Sequence, residues 1–510
     1  MAKKGFSRRD FLKGVSAAGV AAGLFGMGTK VSAAPSPPGQ NNIPPVLHTD
    51  LLPPPDISGS GERFWANVRK AFILPKDYIH MNTGTTGSQP LFSLSNLAVY
   101  NLWKSVDPRD WERNLNAEYP GLFPLGTSLF GPSATAARQK WAADAFGANP
   151  DEIVLSYNTT DACNYIFSGT PWNPGDRIVT TQFEHPACNG PMAWARDYRG
   201  VQLVMVNIPS NFTASITVPE VLSWFAPALS APLPSGAKQY LVFSEIFYKN
   251  GVRMPVKELC QLAKSYGAYT IVDTAHGWGM LPINCHEYEA DFIAGAGHKW
   301  LCGGPGTGIW YIRNSGSNLP PFAMGNFFLY GDPFTAPSGF YNNRNWAPSA
   351  WVQFRGEVNT PALYAMTDSL SFFTSIGLDD IYNRGVTLGN YLKDKVANEW
   401  GPNALWVQKN SDPAFATFLT SFNPFKDKND PTKYAEMNTA MNTVLATLAA
   451  EDPKIYIRTV NWRDQASNPN SLRVGFRVST HAMYNNYQEI DWMFERLVAA
   501  VDATGLPQLP

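Results

Sequence analysis

Cysteine is scarce in this sequence, and its spacing excludes two kinds of stabilised fold. The 510 residues contain five cysteines, and no two of them form a CxxC pair. A disulfide framework needs cysteines that can pair, and a structural zinc site needs closely spaced thiolates and imidazoles. We therefore predict neither a structural disulfide nor a metal site.

An excess of either charge is also missing. The formal net charge is −1, and charged residues make up 16% of the chain. Such a balance provides no electrostatic basis for binding nucleic acid or an anionic membrane surface, so we expect no nucleic-acid partner. The hydrophobic content of 44% instead predicts a globular protein with a large core.

The first 33 residues resemble a targeting segment. The adjacent arginines Arg8 and Arg9 lie within SRRDFLK, and a weakly apolar run at 15–28 precedes small residues that end at Ala33. The run is too short and too rich in glycine to span a bilayer. We interpret the segment as a twin-arginine signal peptide, cleaved near Ala33. We thus expect the Tat translocon to export the folded protein to the periplasm.

Short apolar runs alternate with helical stretches between about residues 130 and 315. This alternation is typical of a mostly parallel α/β sheet with both faces covered. The predicted strands are EIVLS (152–156), DRIVTT (176–181), VQLVMVN (201–207), QYLVFSE (239–245), AYTIVD (268–273), DFIAG (291–295) and GIWYIR (308–313).

The rest of the chain divides by composition. Eight prolines stand in the stretch 34–60, which predicts an extended linker. We predict an N-terminal segment at 61–129 that packs on the small domain and the active site, and a large domain at 130–360. Residues 316–360 should form loops around the site. A smaller α+β domain should occupy 361–510.

The stretch GAGHKWLCGGPGTG, residues 295–308, places one lysine among six glycines. A phosphate-binding loop of the Walker type requires GxxxxGK followed by Ser or Thr. Here Lys299 precedes most of the glycines, and Trp300 stands where the hydroxyl residue should be. The GxGxxG fingerprint of dinucleotide-binding proteins is missing from the first strand–helix turn. A nucleotide-binding ATPase is therefore not supported.

Polar residues follow the predicted strands at the point where each strand ends. Asp273 ends AYTIVD, His276 follows it, and Lys299 lies just beyond DFIAG. Ligands of open α/β sheets bind beyond the carboxyl ends of the strands. We therefore expect the aspartate and the lysine to meet in one crevice.

The combined pattern VDTAH, GHKW and GPGTGIWYIR resembles the class V aminotransferase family, including its isopenicillin N epimerase-like branch. The resemblance covers roughly residues 75 to 500. It implies the PLP-dependent fold type I. That fold has a large domain with a mostly parallel seven-stranded sheet flanked by helices, a smaller C-terminal α+β domain, and usually a homodimeric assembly.

The same resemblance implies the cofactor, pyridoxal 5'-phosphate, and the residues that hold its ring. Lys299 would form a Schiff base with the cofactor. Asp273 would pair with the pyridine nitrogen, so that the ring withdraws electrons. His276 would lie near the ring oxygen, and His185 of FEHP would stack on the ring face. Lys299, Asp273 and His185 are the implied catalytic residues.

The cofactor phosphate and the substrate have their own implied ligands. Thr159 and Thr160 open a helix after a strand, which is a common anion site, and His298 would be a further phosphate ligand. Arg477 of LRVGFRVST would bind a substrate carboxylate as a bidentate fork. The implied substrate contacts in the stretch NTGTTG are Asn82 and Thr85.

Three further residues depart from the family pattern or have no role that the resemblance assigns. Ala296 stands where relatives carry a phosphate-binding serine. Glu357 stands where many carry a threonine that reaches the partner subunit's phosphate, so that contact is lost or passes to Asn359 or Thr360. Arg473 shares the strand face of Arg477, and we predict that it is structural.

The resemblance implies an enzyme that acts on an amino-acid or peptide-derived substrate as an epimerase, a lyase or a side-chain-modifying enzyme. Maturation of a siderophore or another peptide is one periplasmic setting. An aminotransferase is an alternative. A cysteine desulfurase-like lyase is disfavoured because residues 303–510 contain no cysteine. The non-enzyme alternative is a cofactor-free binding protein on the same fold.

Overall fold

The computed structural model describes six stretches of the chain, which are 50–128, 131–322, 352–353, 356–465, 467–468 and 470–510. The predicted signal peptide, most of the proline-rich linker and most of the loop region predicted at 316–360 lie outside the described residues. Within the described stretches, no helix is both long and apolar enough to cross a membrane.

The helices and strands alternate along much of the chain. In order they are α1 (Gly61–Arg69), β1 (Tyr78–His80), α2 (Leu91–Val106), α3 (Trp111–Glu118), β2 (Gly126–Ser128), β3 (Gly131–Ser133), α4 (Ala134–Ala145), β4 (Ile153–Ser156), α5 (Thr159–Gly169), β5 (Arg177–Thr181), α6 (Pro186–Arg199), β6 (Gln202–Val206), α7 (Val218–Ser230), β7 (Gln239–Ser244), α8 (Val256–Ser265), β8 (Ala268–Asp273), α9 (Cys285–Tyr288), β9 (Phe292–Ala296), β10 (Gly308–Ile312), α10 (Thr360–Ile376), α11 (Leu378–Trp400), β11 (Leu419–Phe422), α12 (Tyr434–Ala449), β12 (Lys454–Tyr456), β13 (Arg458–Arg463), β14 (Leu472–Ser479) and α13 (Tyr487–Asp502).

A seven-stranded sheet forms the core of the larger part of the chain. Its strand order is β6-β5-β7-β8-β9-β10-β4. The strands from β6 to β9 run parallel, whereas β10 is antiparallel to both of its neighbours. All seven predicted strands are present, and the prediction of a mostly parallel α/β sheet is confirmed.

The burial of these strands explains why their sequences are continuous apolar runs. Every residue of β7 and β9 is buried, as expected for central strands with both faces covered. The strand β6 lies at the sheet edge, and only its last residue is buried. Helix α8 ends at Ser265, and Gly267 then adopts a positive φ of 70° that favours glycine.

The C-terminal part has a smaller sheet of its own. The order is β11-β14-β13, and both pairings are antiparallel. The N-terminal segment joins this part because β1 pairs in parallel with β12. The chain beyond β1 then runs to the carboxyl ends of the large sheet. The domain boundaries themselves stay a prediction.

Candidate active site

Asp273 is the last residue of β8 and lies in the interior of the protein. One carboxylate oxygen, Oδ1, accepts a hydrogen bond of 2.8 Å from the backbone N–H of Ala275. The other, Oδ2, lies 3.8 Å from Sγ of Cys188. Burial raises the pKa of this carboxyl, and the nearby charge of Lys299 opposes that rise. A buried carboxylate of this kind favours a cationic partner, such as a protonated pyridine nitrogen.

Lys299 lies three residues beyond the end of β9 and reaches the same crevice. Burial lowers the pKa of its amine to about 8, while Asp273 raises it and Arg477 lowers it further. The Nζ atom lies 3.5 Å from Nε2 of His276. A lysine whose pKa is reduced in this way has a much larger neutral fraction near physiological pH than an exposed lysine, and the neutral amine is the form that attacks a carbonyl group.

His276 is held by the residue that follows Lys299. The indole N–H of Trp300 donates to Nδ1 of His276 at 3.0 Å. Burial lowers the pKa of His276 well below the ordinary value, so the ring is neutral. An indole nitrogen can only donate, so Nδ1 is the acceptor and the ring proton resides on Nε2. His276 therefore presents an N–H donor towards Lys299.

His185 begins helix α6 as its N-cap. Its Nδ1 accepts a 3.1 Å hydrogen bond from the backbone of Ala187, and its ring meets that of Tyr248 edge to face at 4.7 Å. Burial lowers the pKa of His185 to about 4, and the charge of Lys299 adds to this effect. A neutral, fixed imidazole is suited to packing against a flat ring.

The hydrogen bonds of the predicted phosphate ligands show whether a phosphate group would fit between them. Thr159 Oγ1 and His298 Nδ1 are buried polar atoms without a hydrogen-bond partner among the described residues. Thr159 is the first residue of α5, where backbone N–H groups attract an anion. Such orphaned polar atoms are costly, and a phosphate would satisfy them. The side chain of Thr160 is exposed and does not join this pair.

The predicted substrate residues surround Arg477. Its Nη1 donates to the carbonyl oxygen of Tyr248 at 2.6 Å, and its Nη2 donates to Asn82 Oδ1 and Thr85 Oγ1, both at 3.1 Å. Burial lowers the pKa of Arg477 to about 9. Asn82 and Thr85 thus orient the guanidinium group that the resemblance assigns to a carboxylate.

The N-terminal segment packs tightly on this region. A Cβ atom built on Gly84 would lie 3.2 Å from both Arg477 Nη2 and His276 Cε1. A Cβ on Gly87 would lie 2.1 Å from the carbonyl oxygen of Lys299. These glycines let the backbone of the segment approach the crevice more closely than any other residue would allow.

Several residues of the site were not identified from the sequence. Glu184 is buried, accepts hydrogen bonds of 2.6 Å from Thr181 and Ser244, and burial raises its pKa to about 8. The thiols of Cys163 and Cys188 lie 3.2 Å apart behind Asp273. All five cysteines are buried as free thiols.

The residues that depart from the family pattern have partners of their own within the chain. The exposed carboxylate of Glu357 forms an ion pair with Lys104. The same amine donates to Thr360 Oγ1 at 3.2 Å. The side chain of Asn359 caps α10, and its backbone N–H donates to the hydroxyl of Tyr157. The charge of Glu357 is therefore balanced within the chain. Ala296 ends β9 and brings no hydroxyl group.

Comparison with known proteins gives one family match and several curated relatives. The family model Aminotransferase class-V matches residues 130–431, more than half of the chain. Isopenicillin N epimerase of Streptomyces clavuligerus is 26% identical over 254 residues, 49% of this chain and 56% of that protein. Hercynylcysteine sulfoxide lyase of Schizosaccharomyces pombe is 24% identical over 253 residues, 49% of this chain and 58% of that protein. The chain thus spans little more than half the length of these two relatives.

Solved structures match over most of the chain. The cysteine desulfurase CsdA of Escherichia coli has a TM-score of 0.65 at 18% identity, covering 86% of this chain and 98% of that one. A mutant of C-DES, with glycine covalently linked to its PLP cofactor, has a TM-score of 0.63 at 18% identity, covering 84% and 98%. These neighbours show that the chain has the fold shared by CsdA and C-DES.

Three observations therefore agree. The sheet topology matches these enzymes, the family model covers the segment from before β4 to beyond β11, and the crevice contains a lysine, an aspartate and an orphaned anion site that fit pyridoxal phosphate. The chain belongs to the class V aminotransferase family, and the residues of its crevice fit pyridoxal phosphate.

Proposed function

We propose that this protein acts in the periplasm on the amino-bearing carbon of an amino-acid or peptide-derived substrate. The reaction is an epimerisation, an elimination or a modification of the side chain, as in the maturation of an exported peptide or siderophore. This proposal is supported most directly by the 3.5 Å approach of Lys299 Nζ to His276 Nε2. The same crevice contains Asp273 and Arg477.

Each residue of the crevice has a distinct task in such a reaction. When bound, pyridoxal phosphate withdraws electrons from the substrate carbon that carries the amino group. Arg477 binds the substrate carboxylate and thereby fixes which bond at that carbon is weakened. Lys299, with its lowered pKa, accepts a proton and returns it. Asp273 stabilises positive charge on the pyridine nitrogen, and His276 donates from Nε2.

Transamination fits the proposed compartment less well. An aminotransferase needs a keto-acid acceptor, and such acceptors are scarce outside the cytoplasm. Epimerisation, elimination and side-chain modification need no second substrate of that kind. The similarity to isopenicillin N epimerase and hercynylcysteine sulfoxide lyase supports this choice.

Exchange of the substrate Cα proton tests the proposed chemistry. The PLP-loaded protein is incubated with a panel of amino acids and short peptides in deuterated water, and deuterium at Cα is measured by mass spectrometry. We expect incorporation in wild type and none in Lys299→Ala. Lys393→Ala is the matched control, because Lys393 is also buried with a pKa lowered to about 8 but lies on α11.

The outcomes separate the competing functions. Exchange that leaves the cofactor as pyridoxal phosphate supports the proposed class, whereas conversion of the cofactor to pyridoxamine phosphate, with one keto acid released per protein, would favour an aminotransferase. No cofactor uptake at all would favour the cofactor-free binding protein. Exchange that persists in Lys299→Ala contradicts the assignment of this lysine.

The periplasmic location is part of the proposal, and Arg8 with Arg9 supports it. Replacing both with lysine should retain a folded, cofactor-loaded protein in the cytoplasm. Fractionation of cells that express the wild type and the double variant measures this. Periplasmic protein from the double variant would contradict export through the twin-arginine translocon.

We also propose a homodimer, as the family resemblance implies. Light scattering on the purified protein should give twice the mass of one chain. A monomer that retains activity would contradict this assembly.

A further inference from the structure

Two arginines face each other across the small sheet. Arg458 on β13 is the direct partner of Arg477 on β14. Directly opposed side chains share one face of a sheet, and like charges in that arrangement are destabilising. Arg473, which precedes Arg477 on β14, has a carboxylate that balances its charge, because it forms a 3.1 Å ion pair with Asp464.

Neither Arg458 nor Arg477 has such a counter-ion within the part of the chain that the structure describes. Arg477 is 1% exposed, and its Nε is buried without a hydrogen-bond partner there. Burial and the charge of Arg458 together lower its pKa. An uncompensated buried charge costs free energy, so this pair is expected where an anion binds.

The two guanidinium groups converge on one atom. Arg458 Nη1 donates to Thr85 Oγ1 at 3.1 Å, and Arg477 Nη2 donates to the same oxygen at 3.1 Å. A neutral hydroxyl thus accepts from two cations. An anionic oxygen next to it would interact with both at once, because charge-assisted hydrogen bonds are about twice as strong as neutral ones.

We propose that Arg458 is a second carboxylate-binding residue, which donates together with Arg477 to the same carboxylate of the substrate. This inference rests on the proposed function. The shared acceptor favours one carboxylate over two, because groups that bind two separate acids would point apart. Arg458 is half-buried, whereas Arg477 is fully buried, so the solvent reaches Arg458 more readily.

The test uses amines that bind without reacting onward, since an α-methyl group replaces the Cα proton. The probes are 2-methylalanine with one carboxylate, α-methylaspartate with two, and tert-butylamine with none. Each is titrated into PLP-loaded wild type, Arg458→Gln and Arg463→Gln, and the visible band of the cofactor gives the dissociation constant. Arg463 is an exposed arginine on the same strand and serves as the matched control.

We expect Arg458→Gln to weaken binding of 2-methylalanine roughly 10- to 100-fold, the range of a charge-assisted hydrogen bond. Binding of α-methylaspartate should weaken by the same factor, and that of tert-butylamine should not change. Arg463→Gln should alter none of them. Unchanged 2-methylalanine binding, with α-methylaspartate alone weakened, would overturn the shared carboxylate and assign Arg458 to a second acidic group.

A second measurement does not depend on the cofactor. In cofactor-free protein at constant ionic strength, acetate should raise the unfolding temperature of wild type and of Arg463→Gln but not of Arg458→Gln. Without acetate, Arg458→Gln should be at least as stable as wild type, because one of two opposed charges is gone. Equal stabilisation of all three by acetate would overturn the inference. Wild type that takes up no cofactor would contradict only the proposed function.

Discussion

The indole nitrogen of Trp300 lies 3.0 Å from Nδ1 of His276, and this contact fixes the tautomer of the histidine. We predict that Trp300→Phe lowers the affinity for pyridoxal phosphate by about tenfold, the usual scale of one buried hydrogen bond. Without the donor, Nδ1 can hold the proton, and Nε2 then donates in only part of the molecules. A titration of cofactor-free protein followed by absorbance measures the change.

Trp310→Phe controls for loss of the ring itself. Trp310 is also fully buried, and its indole nitrogen has no hydrogen-bond partner among the described residues. This variant should be destabilised like Trp300→Phe but retain its cofactor affinity. An equal loss of affinity in both variants would mean that packing, not the tautomer, is responsible.

Cofactor uptake should depend on the ionisation of Lys299. Its pKa lies near 8 rather than at the ordinary 10.5, and only the neutral amine attacks, so the uptake rate should rise with pH through about 8. Asp273 raises this pKa, so Asp273→Asn should move the midpoint to lower pH. Arg477 lowers it, so Arg477→Gln should move the midpoint to higher pH.

Stopped-flow absorbance at a series of pH values measures these midpoints. A wild-type midpoint near that of an exposed lysine would show that burial does not perturb Lys299. Asp273→Asn should also bind the cofactor yet turn over far more slowly than wild type, because the pyridine nitrogen loses its ionic partner. Full turnover in this variant would remove Asp273 from the catalytic residues.

The implied phosphate ligands Thr159 and His298 can be tested separately. Thr159→Val and His298→Leu should each weaken binding of pyridoxal phosphate by roughly 10- to 100-fold, because each loses a donor to a doubly charged group. Binding of pyridoxal, which lacks the phosphate, should not change. Thr420→Val is the control, since Thr420 Oγ1 is likewise buried and unpaired among the described residues but lies on β11. Equal effects on both ligands would place the phosphate elsewhere.

The large sheet was predictable because its signal is local. Each buried strand is a short apolar run. Asp273 ends one of these runs, and Lys299 lies three residues beyond another. The relation of Arg458 to Arg477 was not predictable, because it depends on the register of two antiparallel strands that no local pattern specifies.

Contacts between distant segments were missed for the same reason. The hydrogen bond from Trp300 to His276 joins two turns, and the approach of Cys163 to Cys188 depends on how α5 packs against α6. Hydrophobic periodicity reports which face of an element is buried, but it does not report which residue lies opposite.

Cysteine desulfuration is a reaction that we predict this protein does not catalyse. The reaction needs a thiolate at an accessible position to accept the sulfur, and residues 303–510 contain no cysteine. Cys188 is fully buried, and its pKa is raised well above the ordinary value. Incubation with L-cysteine and a reductant should release no more sulfide than Lys299→Ala does. Catalytic release that is lost in Cys188→Ser would make desulfuration the better assignment.

The covalent attachment of pyridoxal phosphate to Lys299 is the central claim, and borohydride reduction tests it most directly. The protein contains matched internal controls, since Lys393 and Lys428 also have pKa values lowered to about 8. After reduction and digestion, mass spectrometry should find the reduced cofactor on the peptide that contains Lys299 and on neither control. Attachment at Lys393 or Lys428, or a loaded protein without any covalent adduct, would contradict the claim.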